Sequence, residues 1–408
     1  MANILIMIPA GEVYDHDCVR WYDHKNISRS IDHYHNIGDA FVYDSTLKLL
    51  DYDRVEVLPL ANFDPHTIDR LRAEFDYVVL RGSNYIHSAM RWWHAEEVLN
   101  RLRLPVIAFG VGAQAAHDGT LTLSPESERI WHMIADSTET IGVRGAHTAD
   151  ILWSIGITNT RIVGCPTAFR CNDPCLEITL PDLAEVRHVG LTLRREVSPE
   201  YARNIETYVT RHRDLIDAMA ERFDLTLMAQ GEVEEKKMVF GDAAQKAAAM
   251  ADLEAQDWWR NWYLSDTVRR LYDTRLFYSD VVADYEDLVR RLDLVLGYRL
   301  HGNLMALSNG IPSVYFTYDS RTTEFAETFA IPCVDVFDEK PFRLEDYWEQ
   351  ALFDRFNRAY RHRYRDMKAF LDENHVANSM RGSAGAAAPA RLALAGQSFR
   401  NQASRGNM

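Results

Sequence analysis

The sequence predicts an α/β protein built as two Rossmann-like halves, each a parallel sheet flanked by helices, and three observations carry that expectation. Short apolar runs alternate with longer stretches of helical period, the signature of β-α units. The runs are apolar almost throughout, as strands covered on both faces by helices must be. At 408 residues the chain exceeds the size at which one hydrophobic core usually keeps growing, so the pattern should divide into two.

In chain order, the first series of strands reads Ile4–Ile8, Val55–Pro59, Tyr77–Leu80, Val106–Phe109, Thr140–Val143 and Arg161–Val163, with helices such as Ala40–Leu50 and Arg91–Leu102 between them. The run from Met1 to Ala10 is too short for a signal-peptide core and has no positive charge before it, so it reads as a buried first strand. From about Pro174 to Arg187 the periodicity lapses among two prolines and scattered acids, the composition of a linker. The second series reads His188–Leu193, Leu225–Ala229, Leu276–Ser279, Leu294–Gly297, Ser313–Phe316 and Cys333–Val336, with helices at Pro199–Arg222, Ala243–Tyr263 and Tyr285–Arg291. Strong helix formers from Leu344 to about His375 predict one or two closing helices. Beyond Met380 the chain turns to small Gly, Ala and Ser residues that cannot offset the entropy of ordering, so a disordered tail is expected. The expected division is thus residues 1–180, 188–343, 344–379 and a tail at 380–408. Two such sheets facing each other across a cleft make a GT-B-like architecture, with ligands at the carboxyl ends of the strands.

Composition narrows the function. Hydrophobic residues make up 47% and charged residues 26%, an ordinary globular balance. A formal net charge of −15 argues against a general nucleic-acid binder, which needs dense positive charge to displace counterions from phosphates. No segment reaches transmembrane length. An odd total of 5 cysteines fits a reducing compartment and predicts a cytoplasmic protein, with peripheral membrane association left open. Cys165, Cys171 and Cys175 lack the paired spacing of a zinc site, and Asp32-His33-Tyr34-His35 offers two histidines without a third ligand, so no metal is expected. The aromatic residues Tyr22, Trp92, Trp93, Trp258, Trp259 and Trp262 read mainly as core or interface, with sugar stacking the lesser reading.

The most informative local feature is Leu296 to Val314, LGYRLHGNLMALSNGIPSV, which reads as strand, turn, apolar helix and next strand. Arg299 and His301 fall at the strand-to-helix turn, where backbone N–H groups and the helix dipole favour an anion. A guanidinium there adds a planar fork suited to phosphate or carboxylate. Gly302 and Asn303 keep the turn small and polar. Taken alone, Arg299 could equally cap a neighbouring helix and His301 merely begin one.

Arg299-Leu300-His301-Gly302 resembles the RLHG segment of the polysaccharide pyruvyl transferase family. Further pieces follow in the family's order: Asn36-Ile37-Gly38-Asp39 is similar to its NxGD turn, Phe109-Gly110-Val111-Gly112-Ala113-Gln114 to its glycine turn, Val143-Arg144-Gly145 to its VRD segment, and Gly164-Cys165-Pro166-Thr167 to a later turn. The likeness runs from about Asn36 to Asp335. Two departures stand out. Gly145 replaces the acid of VRD, and Tyr318-Asp319-Ser320-Arg321 lies where members can place a lysine. Arg321 could supply that lysine's charge but not a titrating amine.

The resemblance implies transfer of a pyruvyl unit from phosphoenolpyruvate to two sugar hydroxyls, leaving a pyruvate ketal and phosphate, in exopolysaccharide or cell-surface glycan synthesis. It implies no cofactor beyond that donor substrate. Arg144, Arg299 and His301 are the catalytic candidates, with Gly302, Asn303 and Arg321 joining them around the donor. Gly38, Asp39, Arg81 and Asn84 are the acceptor-side candidates, although Asp before a helix at Ala40 is also an ordinary cap. The partners implied are a small-molecule donor and a carbohydrate acceptor, with a lipid-linked acceptor left open. Two other readings stay open: a nucleotide-sugar glycosyltransferase of the same architecture, with Glu324 near the place of a ribose contact, and a carbohydrate-pathway binding protein without catalysis.

Overall fold

Two parallel sheets carry the molecule, and each of the twelve expected strands is a strand of one of them. The structure is a computed structural model that describes residues 2–9, 12–15, 18–21, 36–116, 119 and 121–382. Tyr22, the Asp32–His35 cluster and the tail from residue 383 lie outside the described residues.

The first sheet comprises β1 (Ala2–Met7), β4 (Tyr52–Leu58), β5 (Tyr77–Leu80), β6 (Val106–Val111), β7 (Ile141–Val143) and β8 (Thr160–Ile162), in the order β4-β1-β5-β6-β7-β8. A short antiparallel hairpin of β2 (Glu12–Asp15) and β3 (Cys18–Trp21) follows β1, and the sequence reading did not anticipate it. The second sheet comprises β9 (His188–Thr192), β10 (Asp224–Met228), β11 (Leu276–Phe277), β12 (Leu294–Gly297), β13 (Ser313–Thr317) and β14 (Cys333–Asp335), in the order β11-β10-β9-β12-β13-β14. Each sheet therefore reverses its strand order once, between β1 and β5 in the first and between β9 and β12 in the second. The fold is the expected pair of Rossmann-like sheets, GT-B-like in architecture.

One face of the first sheet, with Leu5, Met7, Val78 and Leu80, packs in its own cluster around Trp92 and Trp131. The other face, with Ile4, Ile6, Val79 and Phe109, belongs to one continuous core shared with the second sheet. Two helices fill that seam. Helix Ile37–Leu49 is buried nearly all round, which explains why its sequence shows little amphipathic stripe. The closing helix, Gln350–Glu373, returns to the first sheet, where Phe370 meets Phe109 at 5.9 Å and Arg161 pairs with Glu373 at 2.5 Å. A buried ionic knot adds to the seam: Arg170 reaches Asp44 at 2.9 Å and Glu286 at 2.7 Å, tying helix Ile37–Leu49 to helix Val282–Val289. Breaking such a knot on one side would strand a buried charge.

Several helix boundaries differ from the sequence reading for identifiable reasons. Helix Ala95–Leu102 starts later than Arg91 because Trp93 takes a left-handed φ of 55°, which sends Trp92 into the core against Trp131 and leaves Trp93 57% exposed. Asn204 caps helix Ile205–Ala220 through Thr207 N–H at 2.8 Å, so the helix starts well after Pro199. Helix Ala243–Ala255 ends before the tryptophans, and Trp259–Tyr263 forms a π-helical turn with Trp259 buried. Among the described residues no helix is long and apolar enough to cross a membrane.

His212, on helix Ile205–Ala220, is fully buried between Tyr298 at 4.2 Å and Tyr263 at 5.3 Å. Neither ring nitrogen has a hydrogen-bond partner among the described residues, and burial pushes its pKa down to about 3. Below the ordinary value of about 6.5 the unfolded chain takes up a proton that the native state refuses, so stability falls as pH drops through that window. His212→Phe should therefore match the unmodified protein at pH 8 and exceed it by about 2 kcal/mol at pH 5. Urea unfolding at both pH values checks this, and an identical difference at pH 8 and pH 5 would show that His212 is not held neutral.

Candidate active site

The carboxyl ends of β9 and β12 lie side by side where the second sheet reverses its order, the place at which open α/β sheets bind ligands. From Gly297 the chain turns through Tyr298 and Arg299 into helix Leu300–Ser308. Asn303 braces the turn from within, donating to Gly297 O at 3.0 Å and accepting from Thr192 Oγ1 at 2.8 Å. Thr192 Oγ1 accepts the Arg299 N–H at 3.1 Å, so β9 holds the motif in place. The buried Arg299 guanidinium donates through Nε to Leu193 O at 2.8 Å and through Nη2 to Glu232. Burial raises the Glu232 pKa, and Arg299 and Arg195 outweigh it, holding the carboxyl below its ordinary range as an ion.

His301 stands in the first turn of helix Leu300–Ser308 of the second half but faces the first half. A Cβ on Gly38 would lie 3.2 Å from His301 Nδ1 and 3.2 Å from Gln230 Oε1, so the glycine of one motif makes room for the histidine of the other. Ile37 N–H donates to Gln230 O at 2.8 Å and fixes that approach. His301 Nε2 is shut off from solvent and has no hydrogen-bond partner among the described residues. Burial, and then the positive charges of Arg144, Arg81, Arg321 and Arg299, push its imidazole well below the ordinary histidine range. It is neutral at pH 7 in the unliganded protein.

Arg144 follows β7, and its own N–H is anchored on Val111 O at 2.8 Å. Its side chain is wholly buried. Nη1 donates to Asn84 Oδ1 at 2.6 Å, while Nε and Nη2 have no hydrogen-bond partner among the described residues. The guanidinium lies 5.0 Å over the Phe325 ring, whose edge meets His301 at 6.2 Å between ring centroids. Gly112 permits this placement, since a Cβ there would stand 2.8 Å from Arg144 Cζ. Burial pushes the Arg144 pKa down, yet a guanidinium does not deprotonate in proteins, so a charged fork remains inside with unmade bonds.

The remaining candidates fall around this centre. Arg81, after β5, is buried with Nη1 3.5 Å from Asp39 Oδ1. Asp39 does not cap a helix beginning at Ala40, because the helix begins at Ile37 with Asn36 as its cap, accepting from Gly38 N–H at 3.2 Å. Asp39 sits in the first turn instead, with its side chain 21% exposed. Arg321 is held by Asp319 Oδ2 at 2.8 and 2.6 Å. Gly302 packs on Gln230 and Asn303 is spent on the turn, so these two support the site from behind. Asn84, expected on the acceptor side, holds Arg144. Sequence reading missed Gln230, Glu232 and Phe325; Gln230 follows β10, Glu232 precedes helix Val233–Phe240 and Phe325 lies within helix Ser320–Phe329, and no motif marks them.

Two cavities flank the centre. One of about 580 Å³ lies beside Arg299, lined by Arg194, Glu232 and Trp258 among others. The second, of about 340 Å³, lies between the halves, with His147 on one side and Tyr318, Asp319 and Glu324 on the other. Trp258 borders the larger cavity, whereas Trp92 and Trp259 are core residues.

Comparison with known proteins gives a match to the family model described as polysaccharide pyruvyl transferase over residues 36–320. No curated protein sequence matches. Among solved structures, the chain is similar to Anabaena Alr3699/HepE in complex with UDP at 14% identity, covering 91% of this chain and 97% of that one, TM-score 0.42. It is similar to a glycosyltransferase from Rickettsia africae ESF-5 at 10% identity, covering 92% and 97%, TM-score 0.42. It is also similar to a putative UDP-N-acetylglucosamine 2-epimerase from Listeria monocytogenes at 11% identity, covering 88% and 91%, TM-score 0.41.

A buried cation with unmade hydrogen bonds burdens the empty protein. Arg144→Met, which fills much of the same volume without the charge, should raise stability by about 1–3 kcal/mol in the absence of ligand, the cost of buried donors left unsatisfied. The same substitution should abolish stabilisation by added phosphate. Denaturant midpoints with and without 20-fold-varied phosphate check both halves of the expectation, and a destabilised variant would mean that Arg144 is structurally satisfied.

Proposed function

The chain belongs to the polysaccharide pyruvyl transferase family and is a transferase, and we propose that it moves a pyruvyl unit from phosphoenolpyruvate to two hydroxyls of a sugar, forming a pyruvate ketal in exopolysaccharide or cell-surface glycan synthesis. The observation that carries the reading is Arg144, a wholly buried guanidinium with Nε and Nη2 unpartnered, set beside a neutral His301. Phosphoenolpyruvate carries a phosphate and a carboxylate on adjacent groups, and such a donor supplies the acceptors that those N–H groups lack. Arg299 and Arg321 each already hold one carboxylate, so they contribute field more than open forks.

Chemically, the donor's methylene carbon must gain a proton and its C2 must accept two oxygens in turn. A neutral imidazole is fit to take the proton of the first attacking hydroxyl and pass it to the methylene carbon, giving a methyl group. Phosphate then leaves from C2, and the second hydroxyl closes the ketal, its proton departing with phosphate. His301 is the residue assigned to that transfer. The acceptor is assigned to the first half, where the partly exposed Asp39 carboxylate, steadied by Arg81, can receive hydroxyl hydrogen bonds.

A nucleotide-sugar glycosyltransferase is the less supported reading. It leaned on Glu324 as a ribose contact, and both Glu324 oxygens accept hydrogen bonds from Thr148.

His301→Asn should abolish phosphate release with phosphoenolpyruvate and a panel of sugars while leaving donor binding measurable; near-normal turnover would remove the assignment.

A further inference from the structure

Helix Ala146–Ser154 opens at Gly145 and has no side-chain cap of its own. Its first-turn N–H groups need acceptors. The acceptor comes from the other half of the molecule: Glu324 Oε1 accepts the Thr148 N–H at 2.7 Å, and Oε2 accepts the Thr148 hydroxyl at 2.9 Å. Thr148 is the third residue of the helix, the position that a carboxylate at residue 145 would itself serve as N-cap. Thr148 Oγ1 in turn accepts the Ala113 N–H at 3.0 Å, next to the Gly112 that faces Arg144.

Gly145 is what makes the arrangement fit. A Cβ at this position would stand 2.4 Å from Glu324 Cγ and 2.5 Å from Thr328 Oγ1. The backbone there is extended, at φ −164°, so the glycine answers to its neighbour and not to strain. Adjacent to Glu324, Phe325 carries the Arg144 guanidinium at 5.0 Å. A further bond, Ala115 N–H to Ser320 Oγ at 3.3 Å, joins the same loop to the start of the same helix, Ser320–Phe329.

We propose that Glu324 is a positioning residue that replaces, from across the seam, the carboxylate absent at position 145: it caps helix Ala146–Ser154 and thereby fixes Arg144 over Phe325 beside His301. The departure of Val143-Arg144-Gly145 from the segment it resembles is then a relocation of the acid. The claim about Arg144 rests on reading it as an anion-binding group; the claim about the cap does not.

The test is a reciprocal exchange in the full chain, made throughout in a Thr328→Ala background because Thr328 Oγ1 also blocks a side chain at 145: Gly145→Asp, Glu324→Ala and the two together, each measured for thermal midpoint and for phosphoenolpyruvate affinity. Glu324→Ala should lower the midpoint by about 1–2 °C, the effect of losing a helix cap in a chain of this length. It should also weaken phosphoenolpyruvate binding about tenfold in the folded fraction. Gly145→Asp alone should do comparable damage, because the new side chain meets Glu324. The double variant should recover most of both losses, and Glu324→Gln, which keeps an acceptor for the Thr148 N–H, should stay near the unmodified protein. Additive losses in the double variant would overturn the cap. An unchanged phosphoenolpyruvate Kd in Glu324→Ala beside a lowered midpoint would overturn the positioning role. If Glu324→Ala does not fold, the midpoint of the double variant decides: a native value supports the exchange and a failure to fold overturns it. Midpoints read the cap whatever the ligand, so a lack of phosphoenolpyruvate binding in the unmodified protein would count against the anion-site reading alone.

Discussion

Positive charge gathered in a buried seam is the constraint around which this structure is arranged. Arg81, Arg144, Arg299 and Arg321 all act on His301, and burial magnifies what each does because little water screens them. Three of the four have a carboxylate close by, namely Asp39, Glu232 and Asp319. Arg144 is bonded to the neutral amide of Asn84 and lies over an aromatic face. The chain as a whole carries a formal charge of −15, so the cationic seam is a local inversion of its surroundings. Within that cluster Arg144 keeps N–H groups open to a small anion.

Such a seam has to be held shut by contacts that cross it. Helix Ile37–Leu49 supplies apolar bulk, the Arg170 knot with Asp44 and Glu286 supplies a buried ionic tie, and the closing helix Gln350–Glu373 brings the end of the described chain back to the first sheet. These contacts lie behind the site and set the distance between the sheets. Glu324 and Ser320 cross in front of it, at the loop that carries Gly112.

Much of this was legible in the sequence. All twelve sheet strands stand where apolar runs predict them; the central β5, β6, β12 and β13 are buried along their whole length, as continuous apolar runs require, while the edge strands β4 and β14 keep exposed residues. The segments around Gly112, Arg144 and His301 were visible as turns after strands and that around Gly38 as a turn ahead of a helix, and the folded chain brings them to one place. What the sequence does not carry is partnership. Nothing in Phe325 marks it as the surface beneath Arg144, and nothing in Gln230 marks it as the wall between Gly38 and Gly302, because both relations join residues far apart in the chain. Boundaries failed where one residue overrode a periodic stretch, as Trp93 does by turning left-handed ahead of helix Ala95–Leu102. The hairpin Glu12–Trp21 failed for lack of an apolar run long enough to announce it.

Burial, together with the same cations that invite an anion, keeps His301 unprotonated, and this links binding to chemistry in a definite order. In the empty site a proton on His301 would have to be held away from water and beside the arginines, so the imidazole is held as a base. Phosphate and carboxylate in the seam would offset the arginines' part of that penalty and leave the burial part in place. On the reading proposed above, a hydroxyl proton can therefore be accepted only after the donor has arrived, and the resulting imidazolium stands next to the carbon that needs it. Premature deprotonation of an acceptor is disfavoured by the same field. On the proposed reading, one arrangement of charge would select the ligand and set the order of steps, as it already disfavours a proton on the histidine.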